Sequence, residues 1–454
     1  MSSVAEDKEQ NAQDETDYDF ILEELERINT RSVDALLQHY RANPTEMGYT
    51  LEGPDGHTAN FTAAGHNRFV QIVDRRLAVS DFQRRRFSKE SLIKQLEKEY
   101  LARAFDNSLS STDPTGLFNA AVTSVQTTHR EIIHLIPCAV VAHRKTQRFS
   151  IGPVVFYWQE SFWKDAEPEI RKRLPDSPEI AETFLSRIRE FYGSYWWVAE
   201  VCVPPCNENI SSVRATRIVQ KCLDLLKLRI GSGRAARIHQ AYDTALPHDQ
   251  SHLRKIDDLF HISVGGGRMH DAVLNDDWFT QISADPMWKV AESVIQAYWN
   301  GWDQSGNEFQ QRFIDGMSWH SDAVSDSDIT AQIVKYWTAI ERVASLKAND
   351  SFKKKAAILL SDTAEEYAEA TERVRRLYRQ RSEIVHGSAR RGDPELERCA
   401  RESEEVSQKI LFRYLWLIRA APAGVDPARA RAVIADLFAQ WEHFLTGTPT
   451  RHGN

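Results

Sequence analysis

The sequence lacks the long apolar segment that would be needed to cross a membrane. No uninterrupted apolar run approaches the roughly 18 residues of a transmembrane helix. The first residues, MSSVAEDKEQ, have neither the basic start nor the apolar stretch of a secretory signal. Cysteine is scarce as well, with five spread over 454 residues, and such sparse usage is typical of a reducing compartment. The sequence therefore predicts a cytoplasmic protein without a membrane anchor or a disulfide framework.

The sequence also lacks the spacing of a metal or nucleotide site. Cys202 and Cys206 have no second pair of cysteines or histidines near them, whereas a tetrahedral zinc site needs four ligands. The glycine-rich stretch VGGGRMH does not continue into the Lys-Ser/Thr of a phosphate-binding loop. We therefore expect neither a metal nor a cofactor.

Negative charge exceeds positive charge over the whole chain, but arginines are concentrated in one segment. The net charge of −8 argues against a protein that coats nucleic acid without specificity. Between residues 372 and 391, however, seven arginines stand against two glutamates. The sequence thus predicts a local basic surface near the C-terminal end of the chain.

The pattern along the chain predicts an α+β protein in three parts. Residues 1–16 are acidic and polar, and we expect a disordered tail. Residues 17–320 mix helical periodicity with stretches rich in β-branched and aromatic residues, which predict a region of mixed strands and helices, with room for two subdomains. Residues 321–454 show helical periodicity throughout and predict a compact helical bundle. The expected strands, in which β-branched or aromatic residues are frequent, are EIIHLIPCAVVA, RFSIGPVVFYW and SYWWVAEVCV.

One helix of the predicted bundle carries a charge where its apolar side should continue. We expect this helix over residues 363–386, ended by Gly387. Its apolar residues step by three or four, and the next core position in the series belongs to Arg381. A charge on a core face is costly unless it is paired or functional. His386 lies about 140° further around an ideal helix, so it does not share a face with Arg381 by default.

The segment around Arg381 and His386, LYRQRSEIVHG, resembles the R-x-x-x-x-H helix of the HEPN superfamily, and in particular its Apea-like branch. The segment YWTAIERV, one helix earlier in the predicted bundle, is similar to the first helix of that branch. The resemblance covers about 100 residues of the chain, all in the C-terminal third, and leaves the N-terminal region unassigned. It implies a helical domain that forms a homodimer and cleaves RNA without a metal, leaving a 2′,3′-cyclic phosphate.

The resemblance also implies roles for individual residues. His386 would act as general acid or base, and Arg381 would stabilise the charged transition state. Glu341 matches the acidic position of the first helix and would orient Arg381. Ser382 occupies the polar position after the arginine, where catalytic members often carry Asn, Asp or His. The neighbouring arginines, which we expect to bind RNA, are Arg376, Arg379, Arg390 and Arg391.

Two interpretations of this segment stay open at the level of sequence. Arg381 and His386 could serve an endoribonuclease, with the N-terminal region sensing or binding an unknown trigger, and by analogy with the superfamily such an enzyme would act in phage defence or as a growth-arresting toxin. Alternatively, Arg381 could be a buried residue paired with Glu341, and His386 a helix cap. The domain would then be a non-catalytic HEPN module that dimerises or binds a nucleotide or a partner.

Overall fold

The protein is described by a computed structural model that divides into two compact units. Residues Met1–Ile132 and Pro204–Val213 form the first unit, and residues Ile133–Val203 and Arg214–Asn454 form the second. The structure describes residues 2–29, 38, 41–42, 49–52, 58–80, 85–105, 114–141, 146–172, 178–235, 238–241, 252–256, 259–263, 277–301, 308–345, 352–387, 394–420 and 427–447. Across these ranges no helix is long and apolar enough to cross a membrane.

The first unit is built mainly from helices that pack around one apolar core. Its buried residues include Phe69, Ile72, Leu96 and Tyr100. The Tyr100 hydroxyl donates a hydrogen bond of 2.9 Å to the Tyr18 carbonyl and so fixes two of the helices together. The elements of this unit are α1 (Ser2–Asn29), β1 (Tyr49–Glu52), β2 (Thr58–Phe61), α2 (Ala63–Val79), α3 (Lys89–Phe105) and α4 (Pro114–Gln126), and β1 and β2 pair antiparallel.

Helix α1 differs from the disordered tail expected for residues 1–16. Asp14 is fully buried and Asp17 nearly so, at 0% and 1% exposed. Both carboxylates accept hydrogen bonds from Arg75 on α2, and Arg76 also donates to Asp14. Acidic residues of the first helix are therefore neutralised by arginines about sixty positions later. Composition alone indicated a solvated tail because this pairing is not local.

The second unit contains a sheet whose strands follow the order β4-β5-β6-β3-β8-β9, with β7 paired to β3. The strand pairs β4–β5, β5–β6, β3–β7 and β8–β9 are antiparallel. The strands predicted from β-branched and aromatic residues are confirmed at β3, β4, β5 and β6. The bounds are β3 (Arg130–Ala139), β4 (Arg148–Ile151), β5 (Val154–Trp158), β6 (Trp197–Cys206), β7 (His239–Gln240), β8 (His252–Ile256) and β9 (Leu259–Ser263).

Aromatic side chains of these strands line a core. Trp197 is fully buried, and its indole Nε1 donates to the Val141 carbonyl at 2.8 Å. The Phe149 ring stacks on Phe156 with 4.7 Å between centroids. The helices before the bundle are α5 (Gln159–Arg171), α6 (Pro178–Gly193), α7 (Glu208–Ile230), α8 (Ser232–Ala235), α9 (Trp278–Ser283) and α10 (Pro286–Asn300).

The C-terminal part of the second unit is helical, as predicted. Its helices are α11 (Glu308–Ser325), α12 (Ile329–Ala344), α13 (Phe352–Leu360), α14 (Ala364–Val385), α15 (Pro394–Ala420) and α16 (Pro427–Thr446). Helix α12 packs against α11, α13, α14 and α15, so it is central among them. A Cβ atom at Gly316 of α11 would come within 3.0 Å of Leu411 and Val343 side-chain atoms, so glycine allows the close approach of α12 and α15. The chain is thus mostly helical with a smaller sheet, which agrees with the α+β class at this coarse level.

The expected division between residues 320 and 321 does not coincide with a boundary between the compact units. That position lies inside α11, and residues on both sides of it belong to the second unit. Asp328 caps the start of α12 by accepting from the amides of Thr330 and Ala331. Ser325 is the last residue of α11.

Candidate active site on helices α12, α13 and α14

Helix α14 has the bounds and the buried face that the sequence predicts. Thr363 caps its start by accepting from the Glu366 amide at 3.2 Å. Gly387 follows its end with φ +75°, a conformation that glycine adopts without strain. Val374 and Leu377 are buried on the apolar face. Arg381 continues that face one turn later, with 22% of its side chain exposed.

Arg381 lies beside Glu341, which projects from α12. Arg381 Nη2 is 3.8 Å from Glu341 Oε1, longer than the roughly 2.7–2.9 Å of a direct charge-assisted hydrogen bond. Arg381 Nε is buried and has no hydrogen-bond partner among the described residues. The two residues therefore form an ion pair without a direct hydrogen bond, and the buried Nε stays unpaired among the described residues.

Glu341 is affected by burial and by two cations. Burial of the carboxyl raises its pKa above the usual value, because the charged form loses solvation. The positive charges of Arg381 and, to a smaller extent, Lys353 act in the opposite direction. A half-buried acid between two cations is an arrangement more typical of a functional site than of a solvated surface.

The ring of Tyr378 supports the same two cations. Arg381 Cζ lies 5.6 Å from the ring centroid, and Lys353 Nζ lies 3.9 Å from it. Trp337 and Phe352 pack edge-on against Tyr378, with centroid distances of 5.5 and 5.3 Å. Aromatic residues of three helices thus surround a ring that both an arginine and a lysine approach.

Lys353 lies beside this group of residues, although its place there was not predicted from the sequence. It is the first of three consecutive lysines, and neither periodicity nor the HEPN resemblance distinguishes it from Lys354 or Lys355. Lys353 differs from the other two lysines only through the packing of α13 against α14. In the sequence, Phe352 could have indicated this position, because an apolar residue directly before the lysines marks the side of α13 that faces the bundle.

His386 lies at the end of α14 but is not joined to Arg381. Its backbone N–H donates to the Ser382 carbonyl at 3.0 Å, which is a bond of the last helical turn. The imidazole is exposed, and within the described ranges no hydrogen bond connects it to Arg381 or to the Ser382 hydroxyl. Ser382 itself is partly buried. One chain therefore brings together Arg381 and Glu341, whereas His386 and Ser382 remain apart from them.

The arginines expected to bind RNA are placed differently from one another. Arg376 is exposed but forms an ion pair with Glu402 on α15, so part of its charge is offset. Arg379 is exposed on α14. Arg390 and Arg391 lie outside the described residues. The net positive charge at this surface is consequently smaller than the number of arginines in the sequence suggests.

Comparison with models of known protein families, with curated proteins and with solved structures finds no match to this chain. The residues that the structure describes include no cluster of three or more His, Cys, Asp or Glu side chains placed to hold a metal ion.

Proposed function

We propose that this protein is a metal-independent endoribonuclease of the HEPN type. The observation that carries the proposal is Arg381, which interrupts the apolar face of α14 and has a buried Nε without a partner in the described part of the chain. An arginine used only for structure would be expected to satisfy its buried nitrogen atoms. The position of this arginine, five residues before His386, is the position expected from the HEPN resemblance.

In the proposed reaction the ribose 2′-hydroxyl attacks the adjacent phosphorus. The bond from phosphorus to the 5′ oxygen of the next nucleotide breaks, which yields a 2′,3′-cyclic phosphate and a 5′-hydroxyl. One proton leaves the attacking hydroxyl and one is added to the leaving oxygen; His386 carries out one of these transfers, as general base or general acid, and water carries out the other. Arg381 directs its planar set of donors to the phosphate oxygens, where negative charge accumulates in the transition state. Glu341 holds Arg381 in position before RNA binds.

The proposed site is completed by a second copy of the chain. Within one chain the imidazole of His386 is exposed and separate from Arg381, and an HEPN-type homodimer would bring two such motifs to one cleft. Val385, directly before His386, is 52% exposed although it is apolar. An exposed apolar residue at this place supports an interface at the end of α14.

The test compares wild-type protein with His386→Ala on total RNA in the presence of EDTA. Wild type should produce fragments that end in 2′,3′-cyclic phosphate, and His386→Ala should slow their formation about 100-fold or more, in line with general acid–base catalysis. His443→Ala, which changes a histidine of α16, is the matched control and should cleave like wild type. Equal cleavage by wild type and His386→Ala, or intact RNA with both, would contradict the proposal.

The proposed biological role is phage defence or toxin-like growth arrest in the cytoplasm, triggered through the unassigned N-terminal region. This role rests on analogy with the superfamily. The same pair of proteins provides a second readout, because expression of wild type in a bacterial host should arrest growth and expression of His386→Ala should not.

The second candidate function is a non-catalytic HEPN module that dimerises or binds a nucleotide or a partner. The exposed His386, which has no bond to Arg381, favours this alternative, as does Ser382 at the position where catalytic members carry stronger polar groups. The pairing of Arg376 with Glu402 points the same way. A dimer in solution that binds RNA or nucleotide, with no cleavage by wild type, would identify this function.

A further inference from the structure

We propose that Lys353 is a second phosphate-binding cation of the Arg381 site, and that Lys353 and Arg381 together bind one phosphodiester of single-stranded RNA. The proposal rests on the function proposed above and adds a residue to its site. Neither the HEPN resemblance nor the spacing of the sequence assigns a role to Lys353.

The placement of Lys353 is the first argument. Phe352 and Lys353 open helix α13, and Phe352 packs against Tyr378 of α14. The ammonium group of Lys353 then lies 3.9 Å from the centre of the Tyr378 ring, the same ring that Arg381 approaches at 5.6 Å. Two cations from different helices therefore approach the same aromatic ring.

The charge of the site is the second argument. Arg381 and Lys353 supply two positive charges, and Glu341 is the carboxylate on which both of them act. This group of three residues carries one positive charge in excess when Glu341 is ionised. A phosphodiester carries one negative charge, so its binding would neutralise the group.

The loose pairing of Arg381 is the third argument. Arg381 Nη2 is 3.8 Å from Glu341 Oε1 and so makes no direct hydrogen bond to it, and 22% of the arginine side chain is exposed. A phosphate oxygen presents acceptors that suit a guanidinium and an ammonium group at the same time. We infer that the phosphate takes the place beside Arg381 that Glu341 holds loosely in the free protein.

The neighbouring lysines show that this placement is selective. Lys354 forms an ion pair with Glu442 on α16, with 2.5 Å between Nζ and Oε1. Lys355 lies over the ring of Phe438, also on α16, at 5.6 Å. Of the three consecutive lysines, Lys353 is the one that contacts Tyr378. Lys354 therefore offers a control with the same charge and the same helix.

The experiment measures binding separately from cleavage. Full-length wild type, Lys353→Gln, Lys353→Arg and Lys354→Gln are titrated against a fluorescein-labelled single-stranded oligonucleotide of 2′-O-methyl RNA, which lacks the attacking hydroxyl. Anisotropy is recorded at several salt concentrations. Lys353→Gln should weaken binding about tenfold at low salt and reduce the magnitude of the salt slope by about 0.7, the contribution of one phosphate contact to a single strand. Lys353→Arg should restore binding, and Lys354→Gln should bind like wild type.

Cleavage kinetics then separate a binding role from a structural one. With cleavable RNA, Lys353→Gln should raise KM about tenfold and leave kcat nearly unchanged, because a contact made equally in ground and transition states affects KM alone. A circular dichroism melt of each variant checks folding, and exposed Lys353 should tolerate glutamine without loss of Tm.

The possible outcomes distinguish this inference from the proposed function. If wild type cleaves RNA while Lys353→Gln binds and cleaves like Lys354→Gln, the role of Lys353 is overturned and the nuclease stands. If wild type binds but does not cleave, and Lys353→Gln alone loses binding with restoration by Lys353→Arg, the phosphate contact stands and the nuclease is overturned. If wild type neither binds nor cleaves, both are overturned.

Discussion

Two arginines of this protein, Arg75 in the first unit and Arg381 in the second, are exposed to a similar degree but are paired very differently. Their side chains are 28% and 22% exposed. Arg75 Nη2 donates to Asp14 at 2.6 Å and to Asp17 at 2.5 Å, and Arg75 Nε donates to Asp14 at 3.0 Å. Arg381 has a carboxylate at 3.8 Å and a buried Nε without a partner in the described part of the chain. The exposed fraction of the side chain therefore does not separate the two arginines, whereas the number of hydrogen bonds that each guanidinium donates does.

The difference teaches how a structural arginine can be told from one that is available to a ligand. Asp14 is fully buried, so its charge is tolerable only because Arg75 and Arg76 satisfy it. Glu341 is about one-third exposed and can keep part of its hydration without Arg381. The first pair holds helices α1 and α2 together, whereas in the second pair the guanidinium makes no direct hydrogen bond to its carboxylate.

Among substitutions in these two ion pairs, replacement of Asp14 should have the largest effect on stability. In Asp14→Ala two arginines lose a buried partner, and we expect the unfolding free energy of the first unit to fall by about 3–5 kcal/mol. Glu341→Ala removes a looser, more exposed partner and should cost less than about 1 kcal/mol. Urea denaturation followed by hydrogen exchange of peptides from α1, α2, α12 and α14 measures both. Similar losses for the two variants would remove the distinction between the pairs.

The comparison extends to two histidines of the second unit, where the expected effect on stability depends on pH. His386 is exposed, whereas His320 of α11 is fully buried, with Nδ1 at 3.0 Å from the Ser407 hydroxyl and its ring centroid 5.0 Å from that of Tyr336. Burial lowers the pKa of His320 from 6.5 to about 3. Between pH 6.5 and pH 3 the unfolded chain therefore binds a proton at His320 that the folded chain does not bind. The folded state keeps its full stability above pH 6.5, and this proton binding lowers that stability as the pH falls.

Because of His320, we expect the unfolding free energy of the second unit to fall by about 1.4 kcal/mol for each pH unit as the pH is lowered from 6.5 to 3. Chemical denaturation at a series of pH values measures the slope, and His320→Asn should reduce it even though the substitution lowers stability overall. His386→Asn, at an exposed position, serves as the control and should leave the slope unchanged. An unaltered slope in His320→Asn would show that another group causes the acid sensitivity.

Local signals in the sequence predicted much of the local structure. Thr363 and Gly387 mark the ends of α14 because a side-chain cap and a left-handed glycine act over a few residues. Strands β3 to β6 were predicted from β-branched and aromatic residues, which suit a pleated and buried surface. Arg381 beside Glu341 was likewise expected, on the strength of the apolar face of α14 and the HEPN resemblance.

Features that depend on distant pairing were not predicted. The order of α1 depends on Arg75 and Arg76, which are far along the chain from Asp14. The boundary expected near residue 321 failed to match a division between compact units because α11, which begins at Glu308, packs with the helices that follow it. Lys353 reaches the site only through the packing of α13 against α14. Periodicity assigns faces to single helices, but it does not say which helices meet.

The most direct test of the central claim, that Arg381 is held available for an RNA phosphate, is the cleavage rate of Arg381→Lys on a defined RNA. Lysine keeps the charge but loses the planar set of donors. We predict an unchanged melting temperature and a rate lowered about 100-fold, with wild-type products still ending in 2′,3′-cyclic phosphate. Arg381→Lys that cleaves as fast as wild type, or that unfolds as Asp14→Ala is expected to do, would contradict the claim.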